Sequence, residues 1–312
     1  MDMITVDRVS KFYGPTKALD DISFTVKKGE VLGFLGPNGA GKTTTMSILT
    51  CLFPPTEGTA TVAGYDIFKD PIEVNRSIGY VPESFSLYTD MRVKEYLRYV
   101  SEIKGIPRKE IAKSIEKVVE ETETKEVYTK GIKKLSRGYL QRVGVAQSLL
   151  GDPPVLIFDE PTIGLDPMQI ISIRNLIKSL SGDRTVILAS HILPEVSQVT
   201  ERVIVIKSGK LVAMDTPKNL MKGLKTSGRI IVTVDGDESK VVKAIKKVKG
   251  VKSVKKVSDS PAGNTYHVEV NQDEDIKGAL SRAIIEGGFN LVELRLENVT
   301  LEDIFIKLVT DK

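Results

Sequence analysis

The chain is poor in cysteine and has no long apolar run. Cys51 is the only cysteine among 312 residues, so one chain can form neither a disulfide framework nor a zinc site made of cysteines. This usage is typical of a reducing compartment. No apolar run approaches the ~18 residues of a membrane-spanning helix, and the first residues lack the basic and apolar regions of a secretory signal. We therefore expect any membrane role to depend on another chain.

The overall composition is that of a folded protein with more than one domain. Hydrophobic residues make up 41% of the chain and charged residues 28%, which is ordinary for globular proteins. The length predicts about two domains. The net charge of +4 is spread along the chain, so we expect no nucleic-acid partner.

One glycine-rich segment organises the chain. Residues 36–43 read GPNGAGKT and fit the pattern G-x-x-x-x-G-K-[ST] of a P-loop, in which backbone N–H groups cradle phosphate oxygens. A strand is predicted over residues 31–35 and a helix over residues 42–52, with the helix N-terminus toward the phosphates. Lys42 would reach the β- and γ-phosphates, and Thr43 would hold Mg²⁺. The expected nucleotide contacts are Gly36, Pro37, Asn38, Gly39, Ala40, Gly41, Lys42, Thr43 and Thr44.

Several polar side chains follow predicted strands. Residues 155–158 are apolar, which is typical of a strand buried on both faces, and Asp159 and Glu160 come next. Asp159 would hold Mg²⁺ through its water shell, and Glu160 would orient or deprotonate the attacking water. Glu83 follows a strand predicted at 77–81, and His191 ends one predicted at 185–191. Because α/β proteins bind ligands at the carboxyl ends of strands, we expect functions for both.

Two further residues have two interpretations each. Tyr13 lies in a predicted loop ahead of the P-loop strand, where it would either stack on adenine or cap a small sheet. Ser136 precedes a helix predicted to run to residue 150, and it would either cap that helix or help to bind an anion.

The pattern of predicted secondary structure changes near residue 220. The remaining segment predicts strand, helix, strand, strand, helix, strand, the order of a ferredoxin-like fold, followed by a short helix at residues 301–308. Eight lysines lie between Lys240 and Lys256; they form either a solvated helix face or a basic patch facing a membrane or partner. We expect His267 to be an ordinary strand residue and Cys51 a small core residue.

The motifs, taken together and in order, resemble those of the ATPase subunits of ABC transporters over residues 1–220. The P-loop, a signature at residues 135–141 and the acidic pair after residue 158 follow the family order. Asp159 follows Ser136 by 23 residues, and His191 follows Asp159 by 32, spacings that are typical of the family. The resemblance implies adenine stacking for Tyr13, catalysis by Glu160 and sensing of the γ-phosphate by His191.

The resemblance also implies a dimer. Ser136 and Gly138 match signature residues that contact the ATP held by the other subunit, and Asp166 matches a loop acid that crosses the dimer interface. Since the chain has one P-loop, each complete site would need two chains arranged head to tail, with two ATP molecules between them.

The chain departs from the common family pattern at three positions. Arg137 and Tyr139 replace a glycine and a glutamine of the usual signature, which puts the contact made by that glutamine in doubt. Glu83 stands where most relatives have a glutamine; a carboxylate still ligates Mg²⁺ but, while ionised, donates no hydrogen bond. These forms resemble the branch that serves ABC-2-type permeases, including exporters of drugs and sodium and gliding-motility systems. Members of this branch often carry a small C-terminal domain.

The sequence therefore predicts an α/β P-loop ABC ATPase domain with antiparallel and helical subdomains at residues 1–220, and a small α+β domain at residues 221–312. The predicted function is ATP binding and hydrolysis, with Lys42, Glu160 and His191 as catalytic residues and Thr43, Asp159 and Glu83 as Mg²⁺ ligands. The expected partners are an ABC-2-type permease, reached through the surface near residues 83–88, and a second copy or a paralogous ATPase. The expected location is the cytoplasmic face of the membrane.

Two alternatives remain at this stage. One is a soluble ABC ATPase that acts on a ribosome, nucleic acid or protein complex, although such proteins usually carry two cassettes or a long coiled-coil insertion. The other is a purely regulatory nucleotide binder, which the paired carboxylates at 159 and 160 disfavour.

Overall fold

The computed structural model describes residues 1–84, 87–223, 228–260, 263–270 and 276–297. Two compact units are present, the first containing Met1–Pro217 and the second starting at Lys218. In the part of the chain that the structure describes, no helix is both long and apolar enough to cross a bilayer. The predicted helix at residues 301–308 and the predicted surface residue Phe85 lie outside the described residues.

The first unit begins with a long antiparallel hairpin. Strands β1 (Asp2–Tyr13) and β2 (Thr16–Lys27) join β4 (Glu57–Val62) and β5 (Tyr65–Asp66) in a sheet of order β2-β1-β4-β5. The pairing of the two hairpin strands continues through polar residues to Tyr13 opposite Thr16. Our placement of Tyr13 in a loop was therefore wrong: it is the last residue of β1.

A six-stranded sheet carries the predicted site. Its order is β10-β9-β3-β8-β7-β6, and its five pairings are parallel except that of β10 with β9. The strands β3, β7 and β8 are buried at every residue, which explains their continuous apolar sequences. The carboxyl ends of the five parallel strands meet at one edge. The bounds are β3 Val31–Leu35, β6 Ile78–Val81, β7 Val155–Asp159, β8 Thr185–Ser190, β9 Arg202–Lys207 and β10 Lys210–Asp215.

The helices of the first unit include one that is shorter than predicted. The helix after the P-loop ends at Leu49 rather than at residue 52, because Cys51 has a left-handed φ of 56° and the N–H of Leu52 donates back to the Ser47 carbonyl. Cys51 is only partly buried against the core. The helices are α1 Lys42–Leu49, α2 Pro71–Arg76, α3 Val93–Ile103, α4 Arg108–Glu121, α5 Arg137–Leu149, α6 Pro167–Ser179, α7 Leu193–Ser197 and, at the boundary between the units, α8 Pro217–Gly223, with 3₁₀ turns at Lys125–Val127 and Ile132–Lys134.

A lysine joins the end of α3 to the end of α5. The Lys104 ammonium donates to the carbonyls of Gln147, Ser148 and Leu150 at 2.9, 3.2 and 3.0 Å. These carbonyls belong to the C-terminal end of α5, where a helix has no internal partners and favours a cation. Burial lowers the pKa of Lys104 to about 8. Lys104 thus brings a positive charge to the C-terminal end of α5, whose own last turn contains no basic residue.

The second unit has the predicted ferredoxin-like order, which is confirmed. Its antiparallel sheet has the order β12-β13-β11-β14, and buried residues of both helices and the sheet form one core around Tyr266, Val241 and Leu280. His267 lies in a strand, as expected. Seven of the eight lysines of the basic run are exposed on α9, the following turn and β12. The bounds are β11 Gly228–Asp235, α9 Glu238–Lys246, β12 Val251–Ser260, β13 Gly263–Val270, α10 Lys277–Glu286 and β14 Asn290–Glu297.

Candidate nucleotide-binding site

The P-loop connects β3 to α1 and is held closely by its neighbours. Gly41 is the N-cap of α1 with a φ of 112°, and a side chain there would meet the Ala18 carbonyl oxygen at 2.8 Å. At Gly36 a side chain would meet the Ile206 carbonyl oxygen at 2.5 Å. Asn38 is exposed at the mouth of the loop, whereas Ala40 is buried. The loop therefore brings backbone N–H groups and a helix N-terminus together, the arrangement that binds phosphate.

Lys42 lies at the base of this loop. Its ammonium donates to the carbonyls of Gly36 at 2.8 Å and Pro37 at 3.3 Å, and it forms an ion pair with Glu160 Oε1 at 3.3 Å. The side chain is buried, so its charge acts in a poorly screened environment. Lys42 thus links the P-loop directly to the acidic end of β7, whereas its predicted contact with the β- and γ-phosphates stays a prediction.

Asp159 is a buried acid whose charge is only partly compensated. Among the described residues neither of its carboxylate oxygens has a hydrogen-bond partner. Burial raises the pKa of Asp159 to about 6; the charges of Glu160 and Glu83 act in the same direction, whereas the Thr43 hydroxyl and Lys42 oppose them. Two uncompensated carboxylate oxygens near a hydroxyl form an oxygen donor set that suits Mg²⁺.

Glu160 is held by the end of the neighbouring strand β8. Its Oε2 accepts from Ser190 Oγ at 3.3 Å and lies 2.9 Å from His191 Nδ1, and its backbone N–H donates to the Ala189 carbonyl at 2.9 Å. The residue has a left-handed φ of 51°, a costly conformation for a non-glycine residue. The two carboxylate oxygens therefore have different partners: Oε1 faces Lys42, and Oε2 contacts His191 and Ser190.

Glu83 is exposed just after β6. Its charge contributes to the raised pKa of both Tyr80 and Asp159, each of which is raised mainly by burial. It therefore faces the acidic end of β7 from the adjacent strand. In the described residues no group of three or more histidine, cysteine, aspartate or glutamate side chains forms a metal cluster; Mg²⁺ commonly needs only one or two protein ligands besides water and phosphate.

The predicted signature residues lie at two helix N-termini. Ser136 caps α5, where its Oγ accepts from the Tyr139 N–H at 3.5 Å, and Asp166 caps α6 by accepting from the Gln169 N–H at 2.9 Å. A side chain at Gly138 would meet Gln169 Cδ at 2.9 Å. Among the described residues, no hydrogen bond or ion pair joins Ser136 or Asp166 to the P-loop. Capping accounts for Ser136 within this chain, and its anion-binding role stays a prediction.

Tyr13 stands at the end of the β1–β2 hairpin. Its side chain is 46% exposed, and the Lys11 ammonium lies 5.3 Å from the ring centre. A ring in this position has a face open to solvent, and both interpretations from the sequence, adenine stacking and capping of the sheet, stay open.

Sequence reasoning missed several contacts of the site. Ser190, directly before His191, donates to Glu160, and its position next to a predicted site residue was the available signal. The two unusual signature residues have partners within the chain. Arg137 donates to the Gly164 carbonyl at 3.1 Å, and the Tyr139 hydroxyl donates to Glu126 at 3.0 Å.

Comparisons with known proteins agree with this geometry. The family model described as ABC transporter matches residues 19–163, and a model for an AAA domain, putative AbiEii toxin, matches residues 132–197. The chain is 33% identical over 317 residues to the bacitracin transport ATP-binding protein BcrA of Bacillus licheniformis, covering 98% of this chain and 97% of that protein. The chain belongs to the ABC transporter ATP-binding family.

Other comparisons place this ABC ATPase among similar proteins. The linearmycin resistance ATP-binding protein LnrL of Bacillus subtilis is 31% identical over 307 residues, which cover 98% of each chain. A dimeric ATP-binding cassette solved in a post-hydrolysis state with ADP and Pi superposes with a TM-score of 0.62 at 27% identity, over 69% of this chain and 98% of that one. This ABC ATPase thus has the P-loop α/β fold of the family, and it binds and hydrolyses ATP.

Proposed function

We propose that this ABC ATPase powers an ABC-2-type exporter from the cytoplasmic face of the membrane. The observation that carries the proposal is the convergence of Lys42, Asp159, Glu160 and His191 at the carboxyl ends of β3, β7 and β8. Two similar proteins are named for bacitracin transport and linearmycin resistance, which supports outward transport. The permease would be another chain.

Each side chain of the site has a distinct task in this proposal. Lys42 and the P-loop N–H groups neutralise the β- and γ-phosphates. Glu160 orients or deprotonates the attacking water, and His191 with Ser190 fixes its carboxylate. Asp159 and Thr43, with Glu83 from the segment after β6, would hold Mg²⁺. When bound, the ion supplies positive charge at the phosphate oxygens.

A second ATPase subunit would cover the surface around the α5 and α6 N-termini. Ser136 and Asp166 are exposed there, and they are accompanied by three exposed apolar side chains: Ile163, Met168 and Ile171, which are 47%, 74% and 42% exposed. Apolar side chains clustered beside polar residues of a site are typical of an interface. We propose that two chains, identical or paralogous, meet on this surface with ATP between them.

The permease would bind near the end of β6. Tyr88 lies against Tyr99 and Tyr96, with ring centres 5.4 and 6.2 Å apart, and Tyr88 and Ile103 are exposed. Tyrosines at a surface provide large contact areas at a small entropic cost. Because Glu83 lies in the same segment, movement of a partner on these rings would reach the acidic end of β7.

The test of the ATPase assignment is Glu160→Gln. The amide keeps the shape of the side chain but removes the base, so we expect ATP binding to persist, turnover to fall by ~10²–10⁴-fold, and an ATP-bound dimer to accumulate in sedimentation velocity. Lys42→Ala, the control, should lose tight ATP binding. Near-normal turnover in Glu160→Gln would contradict the role of Glu160.

Purification from native membranes tests the transport assignment. The tagged chain, extracted in mild detergent, should carry a polytopic membrane protein in stoichiometric amount, identified by mass spectrometry. Recovery with ribosomal or other soluble partners alone would replace the exporter with the soluble ABC ATPase alternative, while leaving ATP hydrolysis in place.

A further inference from the structure

The Arg137 guanidinium lies on the loop that follows Glu160. Its Nη1 donates to the Gly164 carbonyl at 3.1 Å. A side chain added at Gly164 would meet Nη1 at 2.3 Å and Cζ at 2.8 Å, so the guanidinium occupies the space beside the Gly164 Cα. Gly164 also has a φ of 71°, which glycine adopts without strain. The loop and the arginine are therefore fitted to each other.

The loop itself is a compact connection from Glu160 to α6. The N–H of Ile163 donates to the Glu160 carbonyl at 3.2 Å, and the N–H of Leu165 donates to the Thr162 carbonyl at 3.2 Å. The Thr162 hydroxyl donates to Glu195 at 2.5 Å, which attaches the start of the loop to α7. The exposed half of the loop, around Gly164, is attached to the rest of the chain by Arg137.

A second contact joins the same two elements. Gly138, next to Arg137, leaves room for the Gln169 side chain on the first turn of α6, and the Gln169 N–H is held by Asp166. The first turn of α5 is thus in contact with the loop at Gly164 and with α6 at Gln169. Two points of contact restrict the rotation of the loop relative to α5 more than either one alone does.

We infer that Arg137 is a positioning residue that holds the loop of residues 161–166 against the first turn of α5, so that Ser136 and Asp166 reach a second ATPase subunit in a fixed relative position. This inference rests on the dimer in the proposed function. Its physical basis is preorganisation: a loop that is already ordered loses less conformational freedom when the two subunits close.

The experiment measures dimer formation in the full-length chain. In a Glu160→Gln parent at saturating Mg-ATP, Arg137→Ala should weaken the dimer by about five- to tenfold in sedimentation equilibrium, the size expected for the net contribution of one ordinary hydrogen bond. ATP affinity of the dilute monomer should stay within about twofold. Arg137→Lys keeps a donor but loses the planar group that fills the space beside Gly164, so it should lie between the parent and Arg137→Ala. The matched control is Arg98→Ala, which removes an exposed arginine of α3 paired with Glu102 and should change neither quantity.

A second readout separates positioning from a general structural effect. With Glu160 intact, Arg137→Ala should require a higher protein concentration for half-maximal specific ATPase activity, while kcat at saturating protein changes little. A parent-like dimer constant in Arg137→Ala would overturn the inference, and so would an equal loss of monomer ATP affinity or folding stability. A Glu160→Gln parent that stays monomeric with ATP would overturn the proposed dimer itself. This outcome can be told apart from a failure of the Arg137 inference, because the parent protein has an unchanged Arg137.

Discussion

Replacing Asp159 by asparagine should stabilise the nucleotide-free protein while abolishing Mg²⁺-dependent ATP hydrolysis. The carboxylate is fully buried, and among the described residues its oxygens lack hydrogen-bond partners. The pKa rises from 3.8 to about 6, a shift of about two units, each equivalent to 1.36 kcal/mol. The charged form therefore costs the folded state about 3 kcal/mol at pH 7. The Asp159→Asn substitution would remove most of that cost, since an amide has the same shape without the charge.

The pH dependence follows from the direction of the shift. An acid whose pKa is higher in the folded state binds its proton more tightly there, so stability falls as pH rises between about 4 and 6. Above about pH 6 the wild type bears the whole cost, and below about pH 4 both states are protonated. The gain from Asp159→Asn should be complete at pH 7 and should vanish near pH 4.

Urea unfolding of the chelator-treated protein, followed by circular dichroism at pH 7 and pH 4.5, measures this difference. Asp152→Asn is the opposing control: Asp152 pairs with Lys117 and Arg184, and these partners lower its pKa against the effect of burial, so its loss should destabilise the protein at pH 7. Added Mg-ATP should stabilise the wild type more than Asp159→Asn, because the variant keeps the P-loop and Lys42 but loses a ligand of the ion. The reasoning would be refuted if Asp159→Asn is no more stable than the wild type at pH 7. It would also be refuted if the gain in stability is the same at pH 7 and pH 4.5.

Two further predictions concern packing. Gly79→Ala should lower the free energy of unfolding by about 1–3 kcal/mol, because the new methyl group would lie 2.3 Å from the Ser148 carbonyl oxygen. In the control Gly131→Ala the methyl group enters open space, so the stability in urea should change little. Equal losses in the two variants would contradict this packing argument. Leu280→Ala, at a fully buried position, should lower the free energy of unfolding of the second unit by about 2–5 kcal/mol. The unfolding transition of the first unit and the ATPase rate should stay unchanged. If both unfolding transitions shift, the two units do not unfold independently.

The parts of the site that follow local rules were predictable from the sequence. A lysine and a threonine at the end of a glycine loop belong to one short segment, and their roles need no tertiary information. Asp159 and His191 could be placed at one edge because continuous apolar runs precede both, and parallel strands end together. The ferredoxin-like order of the second unit followed in the same way from alternating strand and helix patterns.

The remainder depends on contacts between distant residues. The partner of Arg137 lies 27 residues away and that of Tyr139 lies 13 away in the chain, so both depend on how α5 packs. The left-handed backbone of Glu160 is imposed by β8, which accepts its N–H, and a glutamate gives no sign of it in the sequence. Cys51, just after α1, also has a left-handed backbone, and a cysteine gives no sign of this in the sequence. The domain boundary predicted at residues 220 and 221 stays a prediction, as do the ligand roles of individual residues.

The cap that Lys104 provides gives α5 a mechanical meaning in the proposed transporter, because it fixes one end of the helix to α3. The helix has 13 residues and is therefore about 20 Å long. At its C-terminal end Lys104 ties it to α3, and the Gln147 amide donates to the Tyr80 carbonyl of β6 at 3.1 Å; at its N-terminal end stands Ser136. Because the hydrogen bonds of a helix resist changes in its length, a displacement of the C-terminal end of α5 along its own axis would move Ser136 by a similar distance. In the proposed transporter, a force that a permease applies to Tyr88, Tyr96 and Tyr99 would thus reach the N-terminal end of α5 without passing through the nucleotide.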